Sequence, residues 1–182
     1  LEAGDEVILW DQNHPTNSIS WDVRAERYGF TVKRVSTPVN PQSIEALIAP
    51  FEEALTSETR LVSFSHVSNI SGVKLPATRL CDLAHTNGSF AMVDGAQSFG
   101  CLEVDLHKIG CDFYTGSAHK WFLGPREAGV LYVRESAVEH LWPTHVGVGW
   151  ESALANGARK FEVLGQRDDA AVAAVATTVR FH

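Results

Sequence analysis

No stretch of this chain approaches the roughly 20 consecutive apolar residues that a membrane helix needs, and no basic-then-apolar leader opens it. No membrane partner is expected. Cysteine is scarce: Cys81, Cys101 and Cys111 are odd in number and spaced for neither a zinc site nor a secreted disulfide framework. They are expected to be buried small hydrophobes, Cys81 on a helix, Cys101 after a strand-end turn and Cys111 at a strand start, in a reducing, cytoplasmic setting. Charge of one sign is never gathered into a stripe, and the net charge is -7, so nucleic acid is not an expected partner. No Gly-x-Gly-x-x-Gly follows any apolar run, which sets aside a nicotinamide-binding Rossmann domain. No Gly-x-Ser-x-Gly marks a hydrolase elbow. The eight histidines show no His-Glu-x-x-His or paired spacing, so no metal site is expected, and Asp105-Leu-His107 reads as a surface loop.

What is present is the composition of an ordinary folded domain, 45% hydrophobic and 20% charged over 182 residues. Short apolar runs alternate with longer amphipathic segments, the pattern of an α/β protein with a mostly parallel sheet covered by helices. Six strands are expected, at 6–10, 31–35, 61–65, 90–93, 113–115 and 129–133. Helices are expected at 20–28, at 41–56 after Asn40-Pro41, and at 76–86 ending at Asn87-Gly88. From Pro143 onward, aromatics and glycines (Trp142, Gly147, Gly149, Trp150) replace the alternation. Residues 1–142 therefore read as the sheet domain and 143–182 as an exit segment. Leu1-Glu-Ala-Gly-Asp reads like the end of a helix running into a strand, and Ala170–Arg180 is helical in character. Further chain is expected on both sides.

Ligands of open α/β sheets sit outside the carboxyl ends of the strands, where this sequence is unusually polar. Asp94 ends the apolar run Phe90-Ala-Met-Val, and an acid there needs a positively charged partner or a turn to cap. Lys120 lies in Gly116-Ser-Ala-His-Lys-Trp-Phe122, among small residues and aromatics. Such surroundings disfavour the ammonium and make the amine a nucleophile toward an aldehyde; a solvated surface lysine is the plainer reading. Ser117 and His119 could offer hydrogen bonds to a phosphate. His14, before Pro15-Thr-Asn17, could lie flat against a ligand or cap a helix. His66 is open to the same two readings. Asn69, in Ser65-His-Val-Ser-Asn69, could direct an amide proton toward a phenolic oxygen or simply make a turn.

Taken in order, His14-x-x-Asn17 with Trp21 soon after, Ser65-His-Val-Ser-Asn69, Asp94-Gly-Ala-Gln97 and Ser117-Ala-His-Lys-Trp121 resemble the class V aminotransferase family of fold-type I pyridoxal phosphate enzymes. The resemblance runs from about Gly4 to Val133 and loosely through Lys160-Phe-Glu162. His14-Pro-Thr-Asn17 and Phe161-Glu-Val-Leu-Gly-Gln-Arg167 are closer to the isopenicillin N epimerase-like and lyase-like branch than to the cysteine desulfurases.

The resemblance implies a three-layer large domain with pyridoxal 5′-phosphate as cofactor. Lys120 would form the Schiff base and later move protons at the substrate Cα. Asp94 would keep the pyridine nitrogen protonated, His14 would stack on the ring, Asn69 and Gln97 would bond the 3′-oxygen and its imine, and Ser117 and His119 would hold the phosphate. It also implies an amino-acid-like substrate attacked at Cα or Cβ, by epimerase-, lyase-, desulfurase- or aminotransferase-type chemistry, and a homodimer. Three departures stand against it. The family's glycine- and threonine-containing phosphate turn would lie before Leu1, its carboxylate-binding arginine would lie beyond His182, and Gln166 follows Gly165 where a threonine often reaches the partner subunit. The rival expectation is a non-catalytic remnant that keeps only the sheet.

Overall fold

The computed structural model describes residues 1–182. Its centre is β1, Glu6–Trp10, in which Val7, Ile8, Leu9 and Trp10 are all fully buried. A strand covered on both faces must be apolar at every position, which is why this run does not alternate. Around it stand β2 (Thr31–Val35), β3 (Thr59–Ser65), β4 (Phe90–Asp94), β5 (Phe113–Ser117) and β6 (Gly129–Val133), in the order β2-β1-β3-β4-β5-β6. All neighbours are parallel except β6, which returns antiparallel along β5. The order reverses between β1 and β3, and open sheets of this kind bind ligands at such a crevice.

The layers follow from which strand residues face which helix. Ile8, Trp10, Val62, Phe64, Ala91, Val93 and Tyr114 pack against α2 (Glu45–Ala54), α3 (Ala77–Thr86) and the single-turn α4 (Leu106–Ile109). Val7, Leu9 and Leu61 face the opposite way, toward Trp21 and Ala25 of α1 (Pro15–Tyr28). Beyond β6 the chain forms 3-10 turns at Glu135–His140 and Gly157–Phe161, a short α5 (Trp150–Leu154) and α6 (Asp169–Phe181). No helix is long and apolar enough to cross a membrane.

Several boundaries differ from the sequence reading. Helix α1 starts at Pro15, not Ser20, because Pro15 fits the first helical turn and His14 caps it through a bond from the Thr16 N–H. Helix α2 starts at Glu45, not Pro41: the Ser43 hydroxyl accepts the Ala46 N–H and takes the capping role expected of Asn40. Asp105 does not sit in a plain surface loop, for its carboxylate caps α4 through the His107 and Lys108 N–H groups. Cys101 is exposed beyond the turn made by Gly100, whereas Cys81 and Cys111 are buried as expected. Burial drives the Cys81 thiol well above its usual range and that of Cys111 up to about 11.

The amino edge of the sheet is tied by Asp112, whose side chain is 6% exposed. Its Oδ2 accepts the Ala91 N–H at 2.8 Å and lies 2.8 Å from His85 Nε2, while Oδ1 faces Arg134 Nε at 3.4 Å. One carboxylate thus joins β4, the end of α3 and the end of β6. His85 and Arg134 are each about a third exposed, so solvent screens part of their attraction. The bond to the buried Ala91 N–H is not screened in that way. Replacing Asp112 by Ala is expected to lower the free energy of unfolding by about 2–3 kcal/mol, and by less in Asp112→Asn. Urea denaturation measures this, and a loss below about 0.5 kcal/mol in Asp112→Ala, the ordinary surface range, would refute the role.

Candidate functional site

Strand β4 ends in Asp94, which lies in register with Ser65 of β3 and Thr115 of β5. Asp94 Oδ1 accepts the Ala96 N–H at 3.0 Å, so the capping role open to it in the sequence is met by one oxygen. Oδ2 has no hydrogen-bond partner within the chain. The chain then turns sharply, with Ser98 and Phe99 N–H both donating to Gly95 O. A Cβ on Gly95 would fall 2.0 Å from the Tyr114 ring, so only glycine lets this turn sit on β5. The Tyr114 hydroxyl lies 3.1 Å from Ser98 Oγ beneath the turn.

Strand β5 carries the second loop. After Ser117, the Ala118 N–H still pairs with Ala128 O, and a tight turn closes as Leu123 N–H donates to Lys120 O. Leu123 pays for that closure with a φ of 58°. Lys120 is half-buried, and its ammonium has neither a hydrogen bond nor an ion pair in the chain. Ser117 is half-buried and His119 exposed, and neither side chain is bonded. The Trp121 indole N–H donates to Gln97 Oε1 at 2.9 Å, joining the two loops. Asp94, Gln97, Ser117 and Lys120 are thereby brought onto adjoining loops at the ends of neighbouring strands.

The other candidates flank the crevice. Buried Asn13 spans it, donating from Nδ2 to Ser63 O at 3.0 Å and accepting the Ser65 N–H at 2.7 Å. Next to it, His14 is exposed and uses only Nδ1 for its capping bond. Asn69 is exposed on the turn after β3, where Ser68 Oγ accepts the Ile70 and Ser71 N–H groups, and the Asn69 amide is unbonded. His66 is 8% exposed and its Nδ1 has no partner. Burial, and after it the Lys74 ammonium, push the His66 imidazole down to about 4. Trp121 and Asn13 carry no assigned role in the sequence reading. Neither the Trp121 bond, across 24 positions, nor the Asn13 bridge, across 50 or more, leaves a local motif. A cavity of about 540 Å³ lies elsewhere, lined by Val138, Trp142, Leu154 and Lys160 among others and by none of the strand-end residues.

The sequence pattern described as Aminotransferase class-V matches residues 1–167. The chain is 37% identical over 157 residues to an isopenicillin N epimerase of Streptomyces clavuligerus, covering 86% of this chain and 39% of that protein. It is 35% identical over 150 residues to a cysteine desulfurase of Escherichia coli K12, covering 81% of this chain and 35% of the relative. Among solved structures it is similar to C-DES, a cystine C-S lyase. A C-DES mutant with glycine covalently linked to the PLP cofactor superposes with a TM-score of 0.87 at 27% identity, over 100% of this chain and 50% of that one. The complex of C-DES with its product, cysteine persulfide, gives a TM-score of 0.85 at 29% identity, over 100% and 51%. The chain spans well under half the length of these curated relatives and about half of the solved chains.

The buried imidazole generates a test. An unfolded histidine takes up its proton near pH 6.5, whereas folded His66 resists until about 4. Between those values the unfolded state binds more protons, so His66 stabilises the fold fully above pH 6.5 and that contribution is lost as pH falls toward 4. The His66 ring resonances should titrate with a midpoint near 4, and His66→Gln should flatten the decline in stability across that window. A midpoint near 6.5 would contradict the burial.

Proposed function

This chain belongs to the class V aminotransferase family, and from that premise we propose that it holds pyridoxal 5′-phosphate on Lys120 and serves an enzyme acting at Cα or Cβ of an amino acid or related amine. The observation that carries the reading is the pairing of Lys120 and Asp94 on adjoining strand-end loops, one an ammonium without a counter-ion, the other a carboxylate with a free oxygen. The neighbouring side chains fit the same group. Lys120 supplies an amine for an aldehyde, which it would bond with loss of water. Asp94 supplies a negative charge to hold a proton on a ring nitrogen, and Asn69 and Gln97 supply amide hydrogens for a phenolic oxygen. Ser117 and His119 carry unbonded polar groups suited to a phosphate, and His14 keeps a ring face and Nε2 free after capping α1.

When bound, pyridoxal phosphate would supply an electron sink for cleavage of a bond at the substrate Cα. Residues of this chain would tune and use it. Asp94 keeps the ring nitrogen charged, which strengthens that withdrawal. Lys120 would take or return the proton at the substrate Cα. The names of the relatives support epimerase-, desulfurase- and lyase-type outcomes alike, with aminotransfer open to the same machinery. We further propose that residues 1–142 form the cofactor domain with 143–182 leading out of it, that two copies pair as a homodimer, and that the protein works in the reducing cytoplasm, which suits its three free thiols.

Adding pyridoxal phosphate and removing the excess should leave an absorption band that borohydride traps on Lys120 and that Lys120→Ala abolishes. Asp94→Asn should keep the band and lower turnover of the responsive amino acid about 100-fold, the worth of one ionic contact to a ring cation. A band that survives Lys120→Ala would overturn the assignment. Failure of the unaltered protein to bind the cofactor would leave the reading of a structural remnant.

A further inference from the structure

The indole N–H of tryptophan is a donor with no acceptor capacity, so the Gln97 amide must turn its oxygen toward Trp121 to make the 2.9 Å contact. That fixes which end of the amide is left over. Gln97 Nε2 keeps both hydrogens with no acceptor among the protein's own groups. Were the amide turned over, an N–H would meet an N–H at Trp121, and a carbonyl oxygen would be presented wherever Gln97 now offers a donor. Gln97 is only half-buried, so packing alone does not select between the two orientations. The Trp121 bond does.

We infer that Trp121 is a positioning residue, which locks the Gln97 amide so that it donates to the phenolic oxygen of the lysine-bound cofactor. The inference rests on the cofactor reading above and assigns a role to a side chain that touches neither substrate nor Lys120 Nζ. Its consequence is electrostatic. A donor at the phenolic oxygen stabilises the form carrying more negative charge there, which is the form left after the imine nitrogen loses its proton. With the donor locked in place, that proton leaves at a lower pH. With the lock removed, the amide samples both orientations and the proton is held to higher pH.

The test is the pH midpoint of the absorption change in the cofactor-loaded protein. Trp121→Phe keeps an aromatic ring but loses the N–H with the five-membered ring that carries it, and it should raise the midpoint by up to about one pH unit, the worth of one hydrogen bond to a charged group. Gln97→Leu should raise it at least as far, and the double variant should go no higher than Gln97→Leu alone. A tryptophan with a merely structural role would lower stability or loading and leave the midpoint where it was. An unshifted midpoint in Trp121→Phe beside a shifted one in Gln97→Leu overturns the inference and leaves the cofactor reading intact. Absence of any band in the unaltered protein removes both. Should Trp121→Phe not load, the cofactor-free protein decides: Gln97→Leu must move the Trp121 indole N–H resonance and speed its exchange with solvent, and an unmoved resonance refutes the lock.

Discussion

The close approach of the β4 and β5 loops is the constraint on which the candidate site depends. Three glycines make it possible. A Cβ on Gly95 would strike the Tyr114 ring, one on Gly116 would lie 2.8 Å from Phe99, and one on Gly100 would lie 2.4 Å from the Phe122 backbone. Each glycine therefore sits where one loop presses into the other. Phe99 and Phe122 stack across the same seam with centroids 4.5 Å apart, and α6 reaches it from outside, with His182 stacked on Phe122. Side chains in such a seam are held by shape as well as by bonds, and this packing sets the backbone after Asp94 against the backbone beyond Lys120.

The two ends of the sheet treat polar groups in opposite ways. At the amino end they are matched: Glu6 accepts from Lys33 and Thr56, which hold its carboxyl below the usual range, and Asp112 gathers Ala91, His85 and Arg134. At the carboxyl end the matching is partial: Asn13, Gln97 and one Asp94 oxygen are bonded, but others are not. The polar tips of Lys120, Asn69, Ser117 and His119 find no partner in the chain, and His66 Nδ1 is buried without one. A buried polar group without a partner, as at His66 Nδ1, costs stability, and it lies at the same edge as the unbonded tips, beside a topological switch where open sheets bind ligands. That placement is consistent with the cofactor reading proposed above.

Fold class and strand positions were legible because a buried parallel strand writes itself as a short apolar run, as β1 does; the edge strands β2 and β6 also fall at the expected positions, although both are more exposed. The helix starts were not legible. Thr16, Asn17 and Ser18 look like loop residues, and only the backbone shows that Pro15 and His14 begin the helix ahead of them. For the site, the strand-end positions of Asp94, Gln97 and Lys120 could be read from order along the chain. The lock between Trp121 and Gln97 could not, since it depends on how two loops meet in space. Cys101 departs from its expected burial for a related reason: residue type predicts burial, but Gly100 turns the chain outward at that point.

His14 meets the capping reading that the sequence left open, and does so in a way that remains compatible with the other. Capping α1 engages Nδ1 alone, and accepting the Thr16 N–H there requires the ring proton to sit on Nε2. That bond tethers one edge of the ring to the helix start and leaves its faces open. In the cofactor reading proposed above, such tethering would lower the cost of ordering a flat ligand. It is also independent of the bond changes at the substrate. The groups proposed to hold the ring belong to strand ends and a helix start of this sheet, while the groups that would choose among epimerisation, elimination and transfer must face the substrate. One cradle of this kind would therefore suit relatives with different reactions, with the choice among them left to the groups that face the substrate.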